Sequence, residues 1–353
     1  MIKIDIVCPT GGLHGGVENV IKDWVQHLNP KQFDLRIVHI TAGISYLNGY
    51  EKAYFVYNTL EQPDLQQLTL GYLQFVTEHG VPDLCIATNW PMMTLACHAV
   101  KTNYAPNMLI ISWVHNKINA YRDAGLGGLE HLQYADAHFC INKQSQKQIE
   151  HAFPNAKTFM IGNPVHIPPY YNEQRDSRTL AYVGRLDYVK RIDLILEAIY
   201  RSKYSWHLKI IGDGELRETV LSWIELLQLQ DQVELIDWQQ HPWNSCQDAS
   251  ISVIASEYEG FCLSSFEASA VGMTVISTPV NGVTDYIVAG QNGYIFPHDN
   301  AQALADILDL IAEGTLPICN PEICRSSVAS FSIDNYFRTV TTYLNYLYEE
   351  TKQ

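Results

Sequence analysis

Short β-branched runs alternate with helix-period segments over almost the whole chain, and few folds accept that pattern. The strand-like runs of the first half are Ile2–Cys8, Phe33–Thr41, Leu84–Thr88, Met108–Val114, His138–Ile141 and Thr158–Ile161. Segments with helical spacing, such as Val17–Leu28, Leu65–Glu78 and Gln144–His151, fall between several of them. Such alternation specifies βαβ units, and therefore a parallel sheet covered by helices on both faces.

The rhythm breaks at Gly162–Arg178, where Pro164, Pro168 and Pro169 leave neither a helical nor a strand period. It then resumes with Thr179–Val183, Leu208–Ile211, Val233–Ile236, Ile251–Ala255, Thr274–Ser277 and Gly293–Phe296. A chain of 353 residues is too long for one ordinary core. The expectation is an α/β chain of two Rossmann-like, doubly wound parallel-sheet domains facing across a cleft. Residues 1–165 form the first domain, 166–178 a linker and 179–332 the second domain. Residues 333–353 form a closing helix, with Tyr336, Phe337, Val340, Tyr343, Leu344 and Leu347 on one apolar face. Ligands of such sheets bind beyond the carboxyl ends of the strands.

The formal charge of −15 argues against nucleic acid bound through a general basic surface. Residues 1–165 hold 11 Lys/Arg against 13 Asp/Glu, whereas residues 166–353 hold 12 against 25. The amino half is thus the less hostile side for an anionic bilayer. Eight cysteines without a C-x-x-C, mostly inside apolar runs, read as reduced buried thiols. The chain opens without a signal-peptide pattern and has no run long enough for a membrane span, so a cytoplasmic location is expected.

Three segments could carry chemistry. Pro9-Thr10-Gly11-Gly12-Leu13-His14-Gly15-Gly16-Val17-Glu18 joins the first strand to a helix, and its glycines allow close backbone approach to an anion. It fits neither G-x-G-x-x-G nor a P-loop, since Val17 stands where the latter needs Lys. A plain tight turn is the alternative. Gly184-Arg185-Leu186-Asp187-Tyr188-Val189-Lys190-Arg191 follows a strand, and with Arg175 and Arg178 it gathers cations in an otherwise acidic half. That suits a diphosphate, with Arg as a fork and Lys as a point charge; a solvated helix start is the other reading, and the stronger one for Arg175, Arg178 and Arg191. In Ser256–Ala268, Glu259 lies in a loop and Glu267 about one turn into a helix, with the amides of Phe261, Cys262, Leu263 and Ser264 at its start. A carboxylate for hydroxyls at each end and an anion site between them match the outline of a sugar nucleotide. Simple helix-start acids remain the alternative.

Glu259 and Glu267 have the Glu-x₇-Glu spacing of retaining glycosyltransferases with the GT-B fold, and the chain resembles family 4 of these enzymes. Further matches occur in order at Gly15–Glu18, Asn163-Pro164-Val165, Gly184-Arg185 with Lys190, Ile211–Gly214, Asn281-Gly282-Val283 and Asn292-Gly293. The stretch from Trp206 to Trp243 is similar to hexosyltransferases of the lipopolysaccharide core. The resemblance implies that Glu267 takes the ribose hydroxyls and Glu259 the hydroxyls of the transferred sugar, helped by the Phe261–Leu263 backbone. It also implies that Arg185 and Lys190 neutralise the diphosphate while Gly16 closes over it. Gly212, Asp213 and Gly214, with Asp237 and Trp238, would hold the base, and His115 would reach the sugar. Two departures concern these contacts: Asp237 and Cys262 each stand where the family usually has glycine.

The expected function is retaining transfer of a hexose (galactose, glucose or N-acetylglucosamine) from a UDP-sugar to a growing bacterial surface glycan. The acceptor is a glycan or a lipid-linked glycan. The chain has no D-x-D motif, so no metal and no permanently bound cofactor are expected. A UDP-sugar 2-epimerase and a non-catalytic transferase-like partner are the competing readings. A lipid-linked acceptor would call for peripheral docking on the inner face of the cell membrane. Lys101, Lys117 and Arg122, with Tyr104, Trp113 and Tyr121 as interfacial aromatics, are the candidate contacts, against a reading as scattered solvated cations and buried rings.

Overall fold

The computed structural model describes residues 1–12, 15–43, 46–47, 49–169, 171 and 175–352. Leu13 and His14 of the glycine-rich loop lie outside the described residues, as do Tyr170, Asn172, Glu173 and Gln174 of the proline-rich segment. The chain divides into two compact units, Met1–Pro164 with Ile333–Gln353, and Val165–Ser332.

The first unit is built on strands β1 (Ile2–Cys8), β2 (Phe33–Thr41), β3 (Ala53–Tyr57), β4 (Leu84–Thr88), β5 (Leu109–Trp113), β6 (Ala137–Cys140) and β7 (Thr158–Met160). They form one parallel sheet in the order β3-β2-β1-β4-β5-β6-β7. The inner strands β1, β4 and β5 are buried nearly throughout, as strands sandwiched between helix layers must be. Sequence analysis did not anticipate β3. It is the edge strand and half-buried along most of its length, so it has neither a continuous apolar run nor a clean alternation.

The helix Leu65–His79 begins with a capping box, in which Asp64 accepts from the Gln67 amide and the Gln67 side chain accepts from Asp64. The terminal helix Ile333–Glu350 belongs to this unit. It buries Tyr336, Phe337, Val340, Leu344 and Leu347, and the Trp24 indole nitrogen donates to the Tyr336 hydroxyl at 3.0 Å. Trp113, Phe139 and Phe337 surround the same Trp24 ring at 5.0, 6.3 and 6.3 Å.

One charged pair lies inside this apolar unit. Arg36 on β2 clasps Asp5 on β1 through Nε–Oδ1 at 2.6 Å and Nη2–Oδ2 at 2.9 Å. The side chains are 7% and 0% exposed. Tyr72 donates a third bond to Asp5, while Arg36 also donates to the carbonyls of His79 and Gly80. Burial raises the Asp5 carboxyl to about 6 although Arg36 pulls it down, so the pair is ionised at neutral pH.

The second unit contains β8 (Asp176–Val183), β9 (His207–Ile211), β10 (Val233–Ile236), β11 (Ala249–Ile254), β12 (Thr274–Ser277) and β13 (Gly293–Ile295). All are parallel, in the order β10-β9-β8-β11-β12-β13. β8 starts at Asp176 rather than Thr179. Its polar first residues hide a pairing of Asp176 with Ala249 that precedes a register shift in β11. Strand order reverses between β8 and β11, which opens a crevice at their carboxyl ends. All eight cysteines are buried free thiols. Among the described residues, no helix is long and apolar enough to cross a membrane.

Candidate functional site

In the second unit, the loops after β8 and β9 are locked back to back. The Leu186 amide donates to the Asp213 carbonyl at 2.9 Å, and the Leu216 amide to the Leu186 carbonyl at 2.9 Å. A Cβ on Gly212 would lie 1.9 Å from the Gly184 oxygen, and one on Gly214 would lie 2.4 Å from the Leu186 oxygen. The two glycines are there because backbone passes directly over backbone. Asp213 between them is exposed and caps the Gly214 amide with its own carboxylate at 2.8 Å.

Arg185 projects from this joined pair of loops. Its side chain is 70% exposed and ion-pairs with Asp187 at 3.1 Å. Asp187 also caps the 3-10 turn Tyr188–Lys190 by accepting from the Lys190 amide. Arg191 follows in a left-handed conformation and pairs with Asp193 and Asp299, holding the start of the helix Ile192–Arg201. Arg178 lies over the rings of Tyr204 and Trp206, and Arg175 donates to the Val271 carbonyl. Of these five cations, Arg185 and Lys190 are the ones left at the carboxyl end of β8 without a structural task of the kind that holds Arg175, Arg178 and Arg191.

Lys190 reaches across the strand-order reversal. Its Nζ lies 2.6 Å from Glu259 Oε1, linking the loop after β8 to the loop after β11. Glu259 Oε1 accepts a second bond from Ser256 Oγ at 2.8 Å, and the Glu257 amide donates to the Val189 carbonyl at 2.8 Å. The Lys190 and Glu259 side chains are 18% and 14% exposed. Burial works against the Lys190 charge, yet the Coulomb attraction and hydrogen bond of Glu259 outweigh it and hold the ammonium above its ordinary pKa. The site is thus a desolvated cation and a desolvated carboxylate, each the other's partner.

Beyond Glu259 the chain turns sharply. Cys262 has φ 62° and ψ 56°, a left-handed conformation natural to glycine that costs an ordinary residue about 1–2 kcal/mol. Its carbonyl accepts from the amide and hydroxyl of Ser265. Burial pushes the thiol up to about 12, so it is inert at neutral pH. The Phe261 ring stacks on Phe266 at 4.1 Å inside the unit, so its side chain belongs to the core. The helix Leu263–Ala270 then carries Glu267 on its second turn. Trp243 Nε1 donates to Glu267 Oε2 at 3.0 Å, a contact across 24 residues that sequence reading did not find. Asp237, exposed after β10, pairs with Arg217 at 2.6 Å, and Trp238 beside it is 60% exposed. Gly212, Asp213, Asp237, Trp238 and Glu267 therefore share the carboxyl end of the sheet with the Lys190–Glu259 bridge.

In the first unit, Gly16 opens the helix Gly16–His27 after β1. A Cβ there would meet nothing within 4 Å, whereas one on Gly11 would strike the Gly43 amide at 2.3 Å. Packing explains Gly11 and not Gly16. His115 follows β5 and is 9% exposed; its Nε2 pairs with Thr88 Oγ1 at 2.9 Å, and its buried Nδ1 has no hydrogen-bond partner. Burial pushes this imidazole down to about 3, so it is neutral. The residues considered for membrane contact divide, with Tyr104 63% exposed and Arg122 paired with Asp123 at the surface. Trp113 and Tyr121 are buried because they pack into the first unit's core, and Lys101 bridges Asp136 at 2.7 Å. Among the described residues, no group of three or more His, Cys, Asp and Glu could hold a metal ion.

Three buried imidazoles set an expected pH response. His39 and His138 are held at about 4 and His115 at about 3, each by burial. Unfolded, they take a proton below about pH 6.5 that the folded unit refuses until near its own pKa. The stability they contribute is present above pH 6.5 and drains as pH falls toward 4. Asp5 acts with the opposite sign, because its raised pKa favours the folded state below 3.8 and loses that effect as pH rises through about 6. Urea midpoints should fall between pH 6.5 and 4, and His138→Gln should flatten that fall by about one proton's worth of slope. An unchanged slope in that variant would show that His138 is already protonated when folded.

The two parallel-sheet units have the architecture of GT-B glycosyltransferases. Residues 167–318, within the second unit, match the family model described as "Glycosyl transferases group 1". The chain is 26% identical over 269 residues to the lipopolysaccharide 1,6-galactosyltransferase of Escherichia coli K12, covering 72% of each protein. It superposes on the apo lipopolysaccharide outer core galactosyltransferase WaaB with a TM-score of 0.83 at 22% identity, over 97% of this chain and 99% of that one. On Anabaena Alr3699/HepE in complex with UDP and glucose, the TM-score is 0.75 at 17% identity, over 98% of this chain and 100% of that one.

Proposed function

We propose that this protein transfers a hexose from a UDP-sugar to a growing bacterial surface glycan, with retention of configuration. The observation that carries the reading is the Lys190–Glu259 bridge at the strand-order reversal of the unit that matches the group 1 family model. It supplies one cation for a diphosphate and one carboxylate for sugar hydroxyls, at the end of the sheet where ligands of this fold bind. UDP as the carrier is supported by the likeness to a protein solved with UDP and glucose.

Transfer breaks the bond between the sugar's anomeric carbon and the diphosphate oxygen, and the electron pair leaves with UDP. The anomeric carbon then bonds to an acceptor hydroxyl, which gives up its proton. Negative charge grows on the diphosphate as the bond breaks. Lys190 and Arg185 answer that charge, and contacts that strengthen in the transition state raise the rate. Glu259 exchanges its bond to Lys190 for hydroxyls of the sugar as Lys190 turns to phosphate. Glu267 accepts from the ribose hydroxyls.

The reading is tested by incubating the protein with a panel of UDP-hexoses, with and without surface-glycan acceptors, and resolving the products. Transfer to glycan with the donor's anomeric configuration kept supports it. Epimerised donor formed without acceptor identifies a 2-epimerase, and no turnover of any donor identifies a binding partner. The two carboxylates should separate in the same assay. Glu267→Ala weakens UDP itself, whereas Glu259→Ala spares or tightens UDP, because it releases Lys190, and abolishes transfer. Equal losses of UDP affinity would sink this division of roles.

A further inference from the structure

Glu267 is held from outside its own helix. Trp243 lies on the 3-10 turn Pro242–Cys246 after β10, and its indole Nε1 donates to Glu267 Oε2 at 3.0 Å. The bond has only one sense, since an indole N–H donates and cannot accept. The turn that carries Trp243 is itself fixed. Ser245 Oγ donates to Gln239 Oε1 at 2.6 Å, and the Cys246 thiol reaches the carbonyls of Pro242 and Trp243 at 3.6 and 3.7 Å. The ring packs against the apolar cluster that includes Ile211, Cys246 and Ile254. Glu267 is therefore not a carboxylate on a freely turning stem. One of its oxygens is anchored by a rigid donor rooted in the neighbouring strand connection.

We propose that Trp243 is a positioning residue. Its indole N–H fixes the Glu267 carboxylate so that it meets the paired hydroxyls of the donor's ribose, and this makes the site select a ribonucleotide over its 2′-deoxy counterpart. The inference rests on the reading of Glu267 as the ribose ligand. A pre-set carboxylate binds a vicinal diol without first losing rotamer freedom. A nucleotide that lacks the 2′-hydroxyl gains less from that arrangement.

The test compares UDP and 2′-deoxy-UDP binding by calorimetry in the wild type, Trp243→Phe, Glu267→Ala and the double variant. Phe keeps a ring in the apolar cluster while removing the donor with part of the indole, and a ratio of two dissociation constants does not depend on the folded fraction. Trp243→Phe should weaken UDP by about five- to tenfold and shift 2′-deoxy-UDP much less, so the preference for ribose shrinks. Donor KM should rise by a similar factor with kcat nearly unchanged. In the Glu267→Ala background, the Phe substitution should add no further loss. The inference is overturned if both nucleotides weaken by the same factor, if the two substitutions add, or if Trp243→Phe binds UDP as the wild type does while Glu267→Ala does not. If Glu267→Ala itself binds UDP normally, the ribose reading falls and this inference falls with it.

Discussion

Replacing Lys190 by alanine should lower kcat/KM for hexose transfer by about 10²–10³, the loss typical of removing one preorganised group aimed at developing charge. The substitution removes a desolvated ammonium at the strand-order reversal and leaves Glu259 with the Ser256 hydroxyl. Arg185 is 70% exposed and paired only loosely with Asp187, so it can swing to a phosphate but cannot replace a buried point charge. Lys190→Arg should not rescue activity, because a planar guanidinium does not fit where an ammonium makes a 2.6 Å contact between two loops. The Arg185→Ala/Lys190→Ala double variant should lose UDP binding altogether while keeping its melting temperature within a few degrees. Calorimetric titration with UDP decides the matter: unchanged affinity in the double variant refutes a diphosphate role for these cations.

The second large effect concerns stability and lies far from any ligand. Arg36→Met should destabilise the first unit by about 3–5 kcal/mol, since it leaves the Asp5 carboxylate buried without its countercharge. The carbonyls of His79 and Gly80 lose their donor as well. Against a total of about 5–15 kcal/mol for a typical domain, that loss is a large fraction of what holds the unit folded. Asp5→Leu should cost a similar amount. The double variant Asp5→Leu/Arg36→Met should recover most of it, because a buried ion pair replaced by apolar groups of similar size is often close to neutral. Urea unfolding of the three variants checks this. Additive losses in the double variant would show that the two side chains do not act as a unit.

The sheets were legible because parallel strands buried on both faces write themselves as largely apolar runs, as Leu84–Thr88 and Leu109–Trp113 do. β3 was not, since an edge strand with half-wet faces has no such signature. The Glu259 and Glu267 spacing could be read as one loop and one helix turn because both lie within a single connection. The Trp243–Glu267 bond joins two connections and the Asp5–Arg36 pair joins two strands, and nothing in residue type says which distant side chain will be opposite. Trp113 and Tyr121 show the converse error. Aromatics on a sequence are equally suited to a membrane interface or a core, and only the packing around Trp24 decides for Trp113. Cys262 was noticed as a departure from glycine, but its reason is a backbone angle, invisible in composition.

The interlock between the loops at Gly184–Leu186 and Gly212–Gly214 has a bearing on how such a protein can change. Because either loop is the other's floor, a side chain gained at Gly212 or Gly214 would lift the segment that carries Arg185, so neither loop can be redrawn alone. Asp237 and Trp238 have no comparable constraint: both are largely exposed, and Asp237 is tethered by an ion pair to Arg217. Substitutions therefore have room there and little in the interlocked loops. A library confined to residues 237 and 238 should keep most of its members folded, whereas one spread over residues 212–214 should lose most of them.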